Sequence, residues 1–142
     1  MIGVRPRILV VEDSSADVRL LSEAVREHGI SVDLEAVADG ERALGRLRDG
    51  GDTPDLVLLD LNLPRMDGRE VLEAIKRDPV LRAIPVIVLS TSASPRDVAD
   101  CYDRHANAYL VKPLGLDEFG DLMRVLEAFW LRLARLPRAV GR

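Results

Sequence analysis

Pro54-Asp55-Leu56-Val57-Leu58-Leu59-Asp60-Leu61-Asn62-Leu63-Pro64-Arg65-Met66-Asp67-Gly68 is the stretch from which the fold is read. An unbroken apolar run from Leu56 to Leu59, opened by Pro54 and closed by Pro64, predicts a strand covered on both faces, as in a parallel sheet. One carboxylate, Asp60, interrupts it. Burying an unpaired carboxylate is costly, so Asp60 should stand at the strand's end, facing solvent, a cation or a partner. Ligands of open parallel sheets sit at the carboxyl ends of strands, which makes Asp60 the first candidate for a working residue.

Working outward, Arg7-Ile8-Leu9-Val10-Val11 predicts a first buried strand stopping at Glu12-Asp13. Ser14 or Ser15 then caps a helix carrying Asp17 in its first turn, with Val18, Leu21, Ala24 and Val25 at helical spacing up to Gly29. Residues 32–38 alternate acidic and apolar side chains and predict a half-exposed strand at an edge. Asp39-Gly40 turns into a short helix ending at Gly50-Gly51. Val71, Leu72 and Ile75 mark a helix ending before Pro79. Val86-Ile87-Val88-Leu89 is a fourth strand, followed by Ser90-Thr91-Ser92. Pro95 opens the next helix from its first position. Ala108-Tyr109-Leu110-Val111 is the fifth strand, ended by Lys112-Pro113, and a last helix is expected from about Leu116 to Leu136.

Five alternations of strand and helix predict an α/β fold, a single doubly wound (βα)5 parallel sheet of flavodoxin-like type in strand order 2-1-3-4-5. The most polar strand goes to an edge and the most apolar to the centre. Residues 1–142 read as one domain, with a core over about 7–136 and a short tail.

Composition narrows the function. The chain has 142 residues, 47% hydrophobic and 31% charged, as expected of a folded globular protein. A net charge of −4 argues against a nucleic-acid surface. No apolar run approaches the roughly 20 residues of a membrane span, and the N-terminal run is not expected to be a secretory leader. The single cysteine, Cys101, cannot form an internal disulfide, which fits a cytoplasmic location.

The apolar strands each end in a distinct chemical group: Glu12-Asp13, Asp60, Ser90-Thr91 and Lys112. In a parallel sheet these ends converge. Clustered carboxylates make sense around a hard divalent cation, best Mg²⁺, and a lysine with a hydroxyl beside them suits phosphoryl oxygens. Each residue alone has an ordinary reading. Glu12-Asp13 can serve the entry to the next helix, Lys112 can be a solvated strand-end lysine, and Tyr109 can simply pack at the sheet edge.

Together, Glu12-Asp13, Asp60, Ser90, Lys112-Pro113 and the Met66-Asp67-Gly68 turn resemble the receiver domain of two-component response regulators, chiefly the chemotaxis-regulator type, over about residues 7–134. The resemblance implies that Asp60 is the phosphoacceptor, loaded by a cognate histidine kinase. It implies Mg²⁺ held by Glu12, Asp13, Asp60 and the backbone carbonyl of Asn62, with Lys112 pairing with the phosphoryl group. Ser90 and Tyr109 would act as switch residues, Asn62 and Ser92 would tune hydrolysis, and Pro113 would follow a cis peptide. Such a protein is a phosphoacceptor rather than an enzyme in the usual sense.

No effector domain is expected after Leu136, so output is expected from the receiver's own surface. Phe119, Leu122, Met123, Leu126, Trp130 and Leu133 fall on one face of the last helix. Val125, Phe129 and Leu136 form an adjoining apolar flank, expected to make a homodimer through the fourth helix, fifth strand and fifth helix. The segment Glu127-Ala128-Phe129-Trp130-Leu131, with Val11-Glu12-Asp13-Ser14, resembles stand-alone regulators of bacterial phytochrome kinases. Two other classes compete: an unphosphorylated adaptor of the same fold, and an aspartyl-nucleophile phosphatase of similar topology. The phosphatase needs a second acid two residues after the nucleophile, where Asn62 stands. A flavin-binding module is disfavoured, because no phosphate-cradling loop follows the first strand.

Overall fold

The computed structural model describes residues 5–137. Each apolar run is a strand and each amphipathic segment a helix: β1 (Arg7–Val11), α1 (Ser15–Glu27), β2 (Asp33–Val37), α2 (Gly40–Arg48), β3 (Leu56–Leu59), α3 (Gly68–Arg77), β4 (Val86–Ser90), α4 (Pro95–Asp103), β5 (Ala108–Val111) and α5 (Leu116–Leu126). A 3-10 turn, Leu81–Ala83, leads into β4. All neighbouring strands pair in parallel, in the order β2-β1-β3-β4-β5. Val11 lies beside both Val37 and Leu59, Leu59 beside Val88, and Ser90 beside Val111, so the carboxyl ends are level.

Alternation along the central strands feeds two cores. Leu9, Val11, Val57, Leu59 and Val88 pack under α2 and α3 with Ala43, Leu44, Val71, Leu72 and Ile75, while Ile8, Val10, Leu58, Ile87 and Leu89 pack under α1 and α5 with Leu21, Ala24, Phe119 and Met123. Each fully buried Leu or Ile contributes about 1.5–3 kcal/mol, so β3, buried at every position, sits at the centre of the apolar stabilisation. The polar strand β2 is an edge, as its alternation predicts.

Three expectations are corrected. The last helix does not run as an α-helix to Leu136. It ends at Leu126 and continues as a π-helical segment, Glu127–Leu133, with the N–H of Ala134 donating to the carbonyl of Phe129 five residues back. Wider turns change which residues face inward: Trp130 and Leu131 pack on the α1 side of the core, and Leu133 is left 77% exposed. Leu136 is half-buried and does not share the open flank of Val125 and Phe129. The Lys112–Pro113 peptide is trans. Trans is the lower-energy isomer of an X–Pro bond by about 0.5–1 kcal/mol, and Lys112 is held instead by its own N–H, 2.7 Å from the Ser90 carbonyl, and by its side-chain contacts.

Candidate functional site

The ladders of the sheet carry each strand's first polar residue into one basin. Past the end of β1, the Glu12 N–H donates to Val37 O at 3.0 Å, and past β3 the Asp60 N–H donates to Val11 O at 3.0 Å. Glu12 and Asp60 are buried, and Asp13 is exposed at the rim. One carboxylate oxygen from each of the three lies within 4.8 Å of the others. Three oxygen donors at that spacing, one of them open to solvent, fit a hard divalent cation that keeps some of its water. Burial and the negative charge of Glu12 push the Asp60 carboxyl up to about 7, against a partial offset from Lys112 and from the backbone N–H of Asn62.

Lys112 reaches into this basin from the end of β5. Its ammonium lies 2.6 Å from Glu12 Oε1, 2.9 Å from Asp17 Oδ2 and 3.9 Å from Asp60 Oδ2. Burial works to lower its pKa, but the hydrogen bonds to Glu12 and Asp17 outweigh that and push it up to about 12. Ser90 closes β4 fully buried, its Oγ accepting from the Ser92 N–H at 3.2 Å. Tyr109 is half-buried, and its hydroxyl donates to Ser92 O at 2.8 Å. Ser92 Oγ in turn donates to Asp97 Oδ2 at 2.6 Å, and Arg69 meets Asp97 at 3.3 Å. The loop after β4 is thereby tied to β5 on one side and to α3 on the other. Asn62 is exposed two residues after Asp60.

The loop after β3 is held as firmly. Arg65 takes the left-handed backbone, φ 63°, and its guanidinium lies 2.9 Å from the buried Asp39 at the start of α2. The Gly68 N–H donates back to Leu61 O at 2.9 Å.

The expected residues Glu12, Asp13, Asp60 and Lys112 therefore come together, with Ser90 and Tyr109 on the adjoining strands. Asp17 is an addition. As an acid in the first turn of a helix it reads as a favourable charge at the helix dipole, and the only sequence signal for more is that this turn follows Glu12-Asp13 directly. Of the dimer-face candidates, Val125 and Phe129 are 65% and 52% exposed on α5 and its continuation. An open groove of about 750 Å³ lies at the other end of the sheet, beside Leu47, Val80 and Pro85, and contains none of these groups. Among the described residues, no helix is long and apolar enough to cross a membrane.

Comparison with known proteins agrees with this arrangement. Residues 8–124 match the family described as response regulator receiver domain. The chain is 44% identical to the response regulator Rcp1 of Synechocystis sp. over 137 residues, 93% of each chain. The crystal structure of Mn(2+)-bound Rcp1 has a TM-score of 0.82 at 43% identity, covering 94% of this chain and 99% of that one. The phosphorylated cyanobacterial phytochrome response regulator RcpA has a TM-score of 0.87 at 43% identity, covering 95% and 100%. RPA3017, a response regulator in red light signaling of R. palustris, has a TM-score of 0.87 at 39% identity, covering 94% and 99%. A family pattern spanning most of the sequence, and relatives matched nearly end to end, lead to one conclusion: this chain belongs to the response regulator receiver family.

Proposed function

We propose that this chain is a single-domain receiver, its core over about residues 7–136, that accepts a phosphoryl group on Asp60 from a histidine kinase and signals through protein–protein contacts. The observation that carries the reading is Asp60 itself, buried at the end of a wholly apolar strand beside two further carboxylates and a lysine. An Asp60 oxygen attacks phosphorus; the bond from phosphorus to the donor's imidazole nitrogen breaks, and its electron pair leaves with the donor. Lys112 balances charge on the transferred oxygens, and the Ser90 hydroxyl donates to one of them. Glu12, Asp13 and Asp60, with the Asn62 carbonyl, would hold Mg²⁺, which neutralises negative charge on the phosphoryl group when bound. The new charge redirects Ser90 and Lys112, and the hydrogen bond from Tyr109 to the loop after β4 gives that change a route to α4 and β5.

The output surface is the α4-β5-α5 face, used in a homodimer. Tyr102, Val111, Leu114, Val125 and Phe129 are large apolar side chains left exposed there. Similarity to RcpA and RPA3017 supports a phytochrome-type kinase as the phosphodonor, and the free, buried Cys101 is in keeping with the cytoplasm. Intact-mass measurement after incubation with acetyl phosphate and Mg²⁺ tests the chemistry. A gain of one phosphate is expected in the wild type and none in Asp60→Asn; an equal gain in both would overturn it.

A further inference from the structure

An ammonium carries three N–H donors. Lys112 commits two of them to Glu12 Oε1, at 2.6 Å, and Asp17 Oδ2, at 2.9 Å. Asp60 receives neither: its nearer oxygen is 3.9 Å away, beyond hydrogen-bond length.

Asp17 has an ordinary task that it is not performing. It stands at the third position of α1, where the Glu or Gln of a capping box reaches back to the backbone N–H of the N-cap residue. That N–H, on Ser14, donates to Glu12 Oε2 at 3.2 Å instead. The N–H of Asp17 donates to Ser14 Oγ at 3.2 Å, so the first turn is closed without the Asp17 carboxylate. The side chain instead meets Lys112, 95 residues further along the chain.

On the phosphoacceptor reading above, we infer that Asp17 is a positioning residue of the site. It holds the Lys112 ammonium off Asp60, keeping the nucleophile's oxygens clear of that cation and the third N–H available to an incoming phosphoryl oxygen. Without it, Glu12 and Asp60 are the carboxylates left within reach, and the ammonium closes onto the buried Asp60, where attraction is least screened. That ion pair would occupy an attacking oxygen and would have to break at every transfer. The bond changes stay the same: an oxygen–phosphorus bond forms, the donor's bond breaks with its pair leaving on the donor, and Lys112 neither gains nor loses a proton.

The test compares wild type, Asp17→Ala, the same-sized Asp17→Asn and the charge-keeping Asp17→Glu. Phosphorylation by acetyl phosphate is followed as intact mass against time, and crystal structures of the variants are determined. Asp17→Ala is expected to load about tenfold more slowly at saturating acetyl phosphate, with Asp17→Asn slowed in the same direction and Asp17→Glu recovered to within about threefold. In the Asp17→Ala crystal the Lys112–Asp60 distance should shorten to hydrogen-bond range. Wild-type loading rates in Asp17→Ala, or a lysine that has not moved, would overturn the role. So would an equal loss in Asp17→Ala and Asp17→Glu. No mass gain in the wild type would remove the phosphoacceptor reading itself, whereas normal wild-type loading with an unaffected Asp17→Ala removes only the role of Asp17.

Discussion

Gly68 lies so close to the end of β3 that a Cβ on it would stand 2.3 Å from the carbonyl oxygen of Asp60 and 2.5 Å from Leu61 Cα. Both neighbours are backbone, so no rotamer change can relieve the contact. At the first position of a helix alanine is normally preferred to glycine by up to about 1 kcal/mol. Here Gly68→Ala is expected to cost about 2–3 kcal/mol, because the overlap displaces the backbone of Asp60, the proposed nucleophile. Urea unfolding measures the loss, and the rate of phosphorylation should fall with it.

Gly120 and His28 are a second tight pair. A Cβ on Gly120, inside α5, would lie 2.1 Å from Nε2 of His28, which caps α1. Gly120→Ala should therefore destabilise by about 1 kcal/mol despite the better helix propensity of alanine, and His28→Ala in the same chain should recover most of it. Additive losses in the double-mutant cycle would show that the two residues are not coupled.

The acid cluster makes a prediction about pH. In cation-free buffer the Asp60 carboxyl, normally near 3.8, is raised to about 7 by burial and Glu12. The folded state then holds this proton more tightly than the unfolded chain, so the stabilising contribution is fully present below about pH 4 and is lost as pH rises towards 7. Asp60→Asn has no such loss. Its stability relative to wild type should increase between pH 4.5 and 7.5 by about 2–4 kcal/mol, and excess Mg²⁺ should stabilise the wild type but not the variant. Parallel stability curves for the two proteins would contradict this.

The exposed flank of α5 is testable without touching the site. Val125→Ser and Phe129→Ser remove apolar surface that is 65% and 52% exposed. Each should weaken self-association by about tenfold or more in sedimentation equilibrium while shifting the thermal midpoint little. Unchanged association in both variants would contradict the proposed dimer face.

The fold was legible because its signals are local. Continuous apolar runs ending in a carboxylate, a serine or a lysine mark β1, β3, β4 and β5, and acid–apolar alternation marks β2 as an edge. Glu12, Asp13, Asp60 and Lys112 were legible because a parallel sheet converts strand ends into neighbours. Asp17 was not, because its partner is Lys112, 95 residues away, and its local context already explains an acid in a first helical turn. The π-helical segment was hidden for a related reason. Leu131 and Leu133 are equally apolar in sequence, and the π-helical winding of residues 127–133 sets which faces inward. Pro113 carries no local mark of its isomer either, and its peptide bond is trans.

The strand order has a consequence for the time at which the site comes into being. Its carboxylates enter with β1 and β3, but the ammonium that balances them arrives on β5, the last strand to be synthesised and an edge strand once docked. A nascent chain that has folded only through β4 therefore holds mutually repelling acids with no lysine among them. On the proposed phosphoacceptor reading, competence to take a phosphoryl group is expected only once β5 has zipped onto β4, so an unfinished chain should not compete with finished copies for phosphate.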